Sequence, residues 1–235
     1  MGFTSKVEKA RRQLSRILDV SVTAQDTGDE GTDIVVNGEK VIDLSKINFD
    51  ELKNEFKQAK YKSIQIEDLK AYIEKLLQQM LNRNLTRRKF SERYQIIINQ
   101  YNSGTNEAEY YFEQLETLLK ELEEEQNRHT LEGLTEDELE IYDLLVKGKK
   151  LNKNDTQKVK LASKDLYKKL LDNKDSLLVV DWYKDDMTKS RVRKAISDSL
   201  DTDLPECYDK DVFNSKTNLI LSVFIDKAAQ GLSVL

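Results

Sequence analysis

At 235 residues with 38% apolar side chains, the chain is long enough to bury one large core or two smaller ones. One proline and eight glycines against 34% charged residues exclude a turn-rich β architecture, and they point to an all-α bundle of helical hairpins with short connections. Thirty-eight basic and 43 acidic side chains, net −5, exclude a surface that coats nucleic acid throughout, while one cysteine (Cys207) and one histidine (His129) exclude an internal disulfide and the usual zinc ligand sets.

From the start, Met1 to Arg16 is a charged helical pattern without the apolar stretch of a signal peptide, and no apolar run is long enough to span a membrane. The expectation is a soluble, cytoplasmic chain. Lys6 to Leu18 reads as though begun in mid-helix, with basic positions around Val7, Leu14, Ile17 and Leu18, the pattern of a piece of a longer polypeptide. Asp26 to Asp33 is polar, acidic and loop-like. Ile34-Val35-Val36 and Val41-Ile42 flank Asn37-Gly38, a dipeptide that supplies positive φ, so a small β-hairpin is expected over residues 34–42.

Beyond residue 48 the period becomes helical. Phe49, Leu52 and Phe56 fit one short helix, and Ile66, Leu69, Ile73, Leu76, Leu77 and Met80 form the stripe of the next. Thr86 is the expected cap of a third helix carrying Phe90, Tyr94, Ile97, Ile98 and Tyr101, which Asn102-Ser103-Gly104 ends. Asn106 opens a fourth, with Ala108, Tyr111, Phe112, Leu115, Leu118, Leu119 and Leu122 opposite Glu109, Glu113, Glu116 and Glu123 until Gly133 stops it. Thr135 with Glu138 is a capping-box pattern before Ile141, Leu144 and Leu145. Asp155 is the expected cap of a lysine-rich helix through Val159, Ala162, Leu166 and Leu170. Leu177 to Val180 is assigned to extended coil. Val192, Ala195, Ile196 and Leu200 mark a helix that closes before Leu204-Pro205, and Val212, Leu219, Ile220, Val223 and Phe224 mark the last. The expected organisation is an N-terminal segment 1–48, a helical domain 49–133 and a C-terminal helical subdomain 134–235.

Along this frame each candidate catalytic constellation is incomplete. Gly148-Lys149-Lys150 lacks the earlier glycine and the Ser or Thr of a phosphate-binding loop. Asp33 with Glu51-Leu52-Lys53 has the residue types of a paired-carboxylate nuclease, but Glu51 and Lys53 fall in a helical pattern where a solvated face is the simpler reading. His129 has no nucleophile signalled beside it. Two clusters remain. Arg83, Arg87, Arg88, Lys89 and Arg93 place five cations over about three helical turns, either a DNA-phosphate grip or a face paired with the acidic helix Glu109 to Glu125. Trp182, Lys184, Lys189, Arg191, Arg193 and Lys194 mix an aromatic with cations, suiting a partner-binding surface, though Trp182 suits a core anchor equally.

Several phrases follow one another in a recognisable order: the stripe Ile66 to Met80, Phe90-Ser91-Glu92-Arg93-Tyr94-Gln95, Tyr101-Asn102-Ser103-Gly104, a glutamate-rich helix over Leu115 to Arg128, Glu132-Gly133-Leu134-Thr135-Glu136-Asp137-Glu138-Leu139, Asp181-Trp182, Arg191-Val192-Arg193 and Leu204-Pro205. From about Val41 to Asp226 this order resembles the C-terminal region of the motor (restriction) subunit of type I restriction-modification enzymes. In that family the nuclease and helicase lobes lie N-terminal to the region. The resemblance therefore implies a helical module that joins the ATP-driven motor to the methyltransferase and specificity subunits beside the DNA. It also implies no catalysis and no cofactor in this chain, ATP and Mg belonging to a parent ATP-dependent type I site-specific deoxyribonuclease. The alternatives are a nucleic-acid-binding helical module using the Arg83 to Arg93 patch and a helical adaptor unrelated to restriction.

Overall fold

The computed structural model describes Leu18, residues 35–36 and 39–40, residues 42–104 and residues 106–235. The expected N-terminal helix, the Asp26 to Asp33 loop and Asp33 lie outside these, apart from Leu18, which is helical and buried. Val35–Val36 (β1) pairs antiparallel with Glu39–Lys40 (β2), Val35 opposite Lys40 and Val36 opposite Glu39. The described strands thus fall within the expected hairpin over residues 34–42, of which Ile34, Asn37, Gly38 and Val41 lie outside the described residues. Ile42 goes to the core, fully buried.

Two units follow, residues 1–80 with 88–127 and residues 81–87 with 128–235. In the first, a 3-10 turn at Leu44–Lys46 leads to α1 (Phe49–Gln58), capped by Asn48 through the Glu51 amide. Then come α2 (Lys62–Arg83), α3 (Arg88–Asn102) and α4 (Ala108–Glu132). The stripe expected on α2, Ile66, Leu69, Ile73, Leu76, Leu77 and Met80, is buried throughout, each residue at most 3% exposed. It shares one core with Phe90, Tyr94, Ile97 and Ile98 of α3 and with Tyr111, Phe112, Leu115 and Leu122 of α4. Phe56 of α1 stacks on Phe112 with ring centroids 3.9 Å apart. Each such side chain removed from water contributes roughly 1.5–3 kcal/mol, so this core outweighs the modest intrinsic helix preference. The segment before α1 is tied down by amide side chains: Gln126 accepts from the Leu44 N–H at 3.0 Å and donates to the Ile42 carbonyl at 2.6 Å, and Gln79 accepts from the Ile42 N–H at 3.2 Å.

The second unit contains α5 (Glu136–Val146), α6 (Lys153–Asp172), the short α7 (Lys174–Leu177), α8 (Asp186–Asp203) and α9 (Lys210–Ala229). α6 packs on α5 and α8, and α9 packs on α5 and α8, around Ile141, Leu145, Val159, Leu166, Trp182, Val192, Ile196, Ile220 and Phe224. The helix ends follow local chemistry. Gly133, φ +67°, donates to the Thr130 carbonyl while Leu134 donates to that of His129, a Schellman closure of α4. Thr135 and Glu138 form the complete capping box of α5.

Three local expectations need correction. Thr86 does not cap α3: a 3-10 turn at Leu85–Arg87 precedes that helix, and the buried Asn84 Oδ1 takes both the Thr86 amide, at 2.9 Å, and its hydroxyl, at 2.6 Å. Asp155 sits at the third position of α6, where its own amide is accepted at 2.8 Å by the true cap, Asn152. Leu177 closes α7 while Val180 stands 95% exposed, so the run is a helix end and an open connection. The boundary expected at residue 133 also shifts. α4 runs unbroken from Ala108–Glu132, no turn residue marks the change of unit near residue 127, and residues 81–87 belong with α5 and α9. No helix of the described residues is long and apolar enough to cross a membrane.

Candidate functional site

In the second unit, the connection from α6 to α8 is built around Trp182. After α7, the Trp182 amide donates to the Val179 carbonyl at 3.0 Å and the Lys184 amide to that of Asp181 at 2.9 Å, giving a 3-10 turn over Trp182–Lys184. Asp181 enters this turn in the left-handed region, at φ 59° and ψ 21°, a conformation costly for a non-glycine residue. The indole is 4% exposed and joins the core of the unit, with Tyr183 edge-on at 6.4 Å. Trp182 is therefore an anchor, and the turn presents to solvent the aliphatic Val179 and Val180 beside the Asp181–Lys184 ion pair, with Met187 at 68% exposure at the start of α8.

The cations on this stretch are mostly engaged. Lys184 pairs with Asp181 at 2.9 Å, Lys189 with Asp186 at 2.6 Å and Lys194 with Asp198 at 2.5 Å, while the Arg193 Nε donates to the Asn218 side-chain oxygen at 2.9 Å. The Arg191 side chain is exposed and has no hydrogen-bond or ion-pair partner among the described residues. The Asp185 cap accepts from the Thr188 hydroxyl at 2.6 Å and amide at 2.8 Å, and these bonds, with Arg191 and Lys189 nearby, hold its carboxyl below the usual aspartate range. Asp181 raises the Lys184 ammonium in turn. Beside the stretch, a groove of about 400 Å³ is lined by Leu170, Leu177, Ala195 and Ser199, and the buried Ser199 hydroxyl has no hydrogen-bond partner among the described residues. Lys169, Asn173, Ser176 and Asp198 also line it, so the groove is edged by polar and charged side chains.

The other candidate cluster is largely consumed by carboxylates. In the first unit Lys89 lies 3.8 Å from Glu125, Arg93 pairs with Glu121, and Arg88 is exposed. In the second, Arg87 is 2% exposed and donates to Glu136 at 2.7 Å, while Arg83 offers its carbonyl to Lys227 at 3.2 Å. Arg87 in this state is a buried ion-pair member, closed to a phosphate.

Around Arg87 lies an array that sequence reasoning missed. Glu136, Glu140 and Asp143 fall at i, i+4 and i+7 on α5, one face of the helix. Glu140 accepts from Lys227 at 2.8 Å and from the Leu85 amide at 2.7 Å, both side chains being nearly inaccessible. Asp143 holds the Arg128 guanidinium through both oxygens, and the His129 Nδ1 lies 3.4 Å from Glu136. At the far end of α5, the buried Lys216 donates to the Leu144 carbonyl at 2.8 Å and to that of Lys147 at 2.5 Å, closing orphan carbonyls of the last turn. Burial, then Lys147 and Lys149, hold the Lys216 ammonium below its usual range. The sequence signal was available: Lys216 and Lys227 sit at the two ends of the α9 stripe Lys216, Ile220, Phe224, Lys227.

The remaining candidates take local roles. Gly148, φ +74°, follows the end of α5, and the Lys149 ammonium donates to the Cys207 carbonyl at 2.6 Å. Glu51 and Lys53 lie within α1.

Residues 3–223 match a family model described as type I restriction enzyme HindI endonuclease subunit-like, C-terminal. The match begins well before Val41, so it takes in the N-terminal residues as well. No curated protein and no solved structure matched the chain.

Proposed function

Because the chain belongs to the family of C-terminal domains of type I restriction enzyme HindI endonuclease subunit-like proteins, we propose that it is an assembly module of a type I restriction complex. It docks the motor subunit on the methyltransferase and specificity subunits, beside the DNA. It performs no catalytic step and holds no cofactor of its own, ATP and Mg acting in the nuclease and helicase lobes of the parent enzyme.

The observation that supports docking is the exposed aliphatic turn at Val179-Val180, fixed by the Trp182 anchor and a left-handed Asp181. A rigid apolar projection flanked by charge is how a protein interface is seeded, since apolar anchors supply the energy and rim charges the register. Met187, Arg191 and the Ser199 groove extend the same surface along α8. Copurification with the methyltransferase and specificity subunits tests the reading. Val180→Asp with Met187→Asp is expected to weaken capture at least tenfold, about 1.4 kcal/mol, without changing the unfolding midpoint. Undiminished capture by this folded variant would remove the surface from consideration.

A further inference from the structure

α6 sorts its lysines into two classes. It buries Val159, Ala162, Ser163, Leu166 and Leu170 against the rest of its unit. Lys160 and Lys169, at the flanks, are tied to Glu132 at 2.5 Å and Asp203 at 3.2 Å. On the opposite face, Lys153, Gln157, Leu161, Lys164 and Lys168 recur at steps of four, four, three and four. At about 100° per residue they fall within an arc of roughly 80°, diametrically across from the buried stripe, and they run about 22 Å along the axis. Leu161, in the middle, is 60% exposed. Among the described residues, none of Lys153, Lys158, Lys164 and Lys168 has an ion-pair or hydrogen-bond partner.

This arrangement costs stability. Lys160, Lys164 and Lys168 stand at successive i, i+4 positions, where like charges repel by roughly 0.2–0.5 kcal/mol per pair and a glutamate would attract. The segment from Lys147 to Lys174 holds ten lysines and three aspartates, +7 in a chain of net −5. Its field is felt nearby, where Lys147 and Lys149 help to depress the Lys216 ammonium. Elsewhere on this unit, Lys184, Lys189 and Lys194 each have an aspartate within 3 Å.

We propose that the outer face of α6, carrying Lys153, Lys164 and Lys168, is a contact surface for the phosphate backbone of duplex DNA. A row of bare ammonium groups over about 22 Å matches a ligand with repeated negative charge, and duplex DNA carries one phosphate charge per roughly 1.7 Å of axis. Lysines as point charges, with no arginine fork or aromatic ring on the stripe, suit sequence-independent positioning and not base reading. The choice of DNA over another polyanion rests on the restriction-complex reading above.

The full chain titrated into a labelled duplex of arbitrary sequence, by fluorescence anisotropy at several salt concentrations, tests this. Lys153→Gln/Lys164→Gln/Lys168→Gln is expected to reduce the slope of log K against log salt by about 3 and low-salt affinity by at least tenfold. Lys184→Gln/Lys194→Gln, which removes two paired lysines, is expected to leave the slope unchanged. Circular dichroism checks that both variants are folded. Absence of duplex binding by the wild type at low salt, or a wild-type slope in the triple variant, overturns the proposal. So does a triple variant that keeps its DNA affinity but no longer copurifies with the methyltransferase and specificity subunits, since the face would then bind protein. Loss of DNA binding with copurification intact upholds it, and failure of the Val180 and Met187 variant to affect capture touches the docking reading alone.

Discussion

Lys227→Met is the sharpest test of what holds the second unit together. Methionine keeps the apolar stem and removes the ammonium, which is 1% exposed and lies 2.8 Å from a Glu140 carboxylate that is 2% exposed. The carboxylate is then left with one donor, the Leu85 amide at 2.7 Å, and the Arg83 carbonyl, 3.2 Å from the lost ammonium, is left with none from that side chain. Breaking a buried pair by removing one partner costs about 3–5 kcal/mol, because the surviving charge stays desolvated. At roughly 2–4 °C per kcal/mol for a chain of this size, the midpoint should fall by about 10 °C or more. Urea and thermal unfolding followed by circular dichroism measure it. Lys227→Met/Glu140→Gln should recover about half of the loss, since a neutral amide still accepts from Leu85 without a stranded charge. A loss below about 1 kcal/mol in the single variant, or no recovery in the double, would refute the buried-pair account.

Four further outcomes are expected. Trp182→Ala should cost about 3–5 kcal/mol by urea denaturation, as for any large aromatic removed from a core, and a loss under 1 kcal/mol would return Trp182 to the surface. Gly133→Ala should cost roughly 1–2 kcal/mol from its φ of +67° alone, because the added Cβ meets nothing within 4 Å. Arg93→Gln should change stability by no more than about 1 kcal/mol, its pair with Glu121 being half-exposed and screened by salt. Lys216 has a folded pKa below its unfolded value of 10.5, so the unfolded chain holds more protons between the two and stability rises with pH across that window. Lys216→Met should lose this rise, seen as a shrinking difference in urea midpoint towards low pH. Parallel curves at pH 8 and 10 would count against it.

How far the sequence could be read depended on whether the deciding contact was local. The stripe of α2, the Gly133 stop and the Thr135 capping box are set within a few residues, and all appear as expected. Asp155 lies three positions after the true cap and Thr86 sits inside a 3-10 turn opened by Asn84; both carry the residue type of a cap, and only the backbone decides whose oxygen reaches the free amides. The unit boundary was illegible for a different reason. Residues 81–87 join the second unit through Glu140, Asp143 and Lys227, partners up to 144 residues away, and α4 passes the boundary with no turn residue to mark it. Trp182 carried no signal separating anchor from interface, since both uses select the same large aromatic.

The two basic segments illustrate why counting cations does not locate an anion site. Five cations between Arg83 and Arg93 made the denser cluster in sequence, yet carboxylates of α4 and α5 answer Lys89, Arg93 and Arg87. α6 is less dense, but its outward lysines have no acid within reach on the same face except Asp165 at the edge, so their charge goes to solvent. Field strength at a surface follows what is left unpaired. The chain as a whole carries a net charge of −5, the same sign as DNA. On the proposed reading, a single +7 segment on such a chain makes an encounter with a polyanion directional, because the local charge of α6 and its flanks opposes that of the whole molecule.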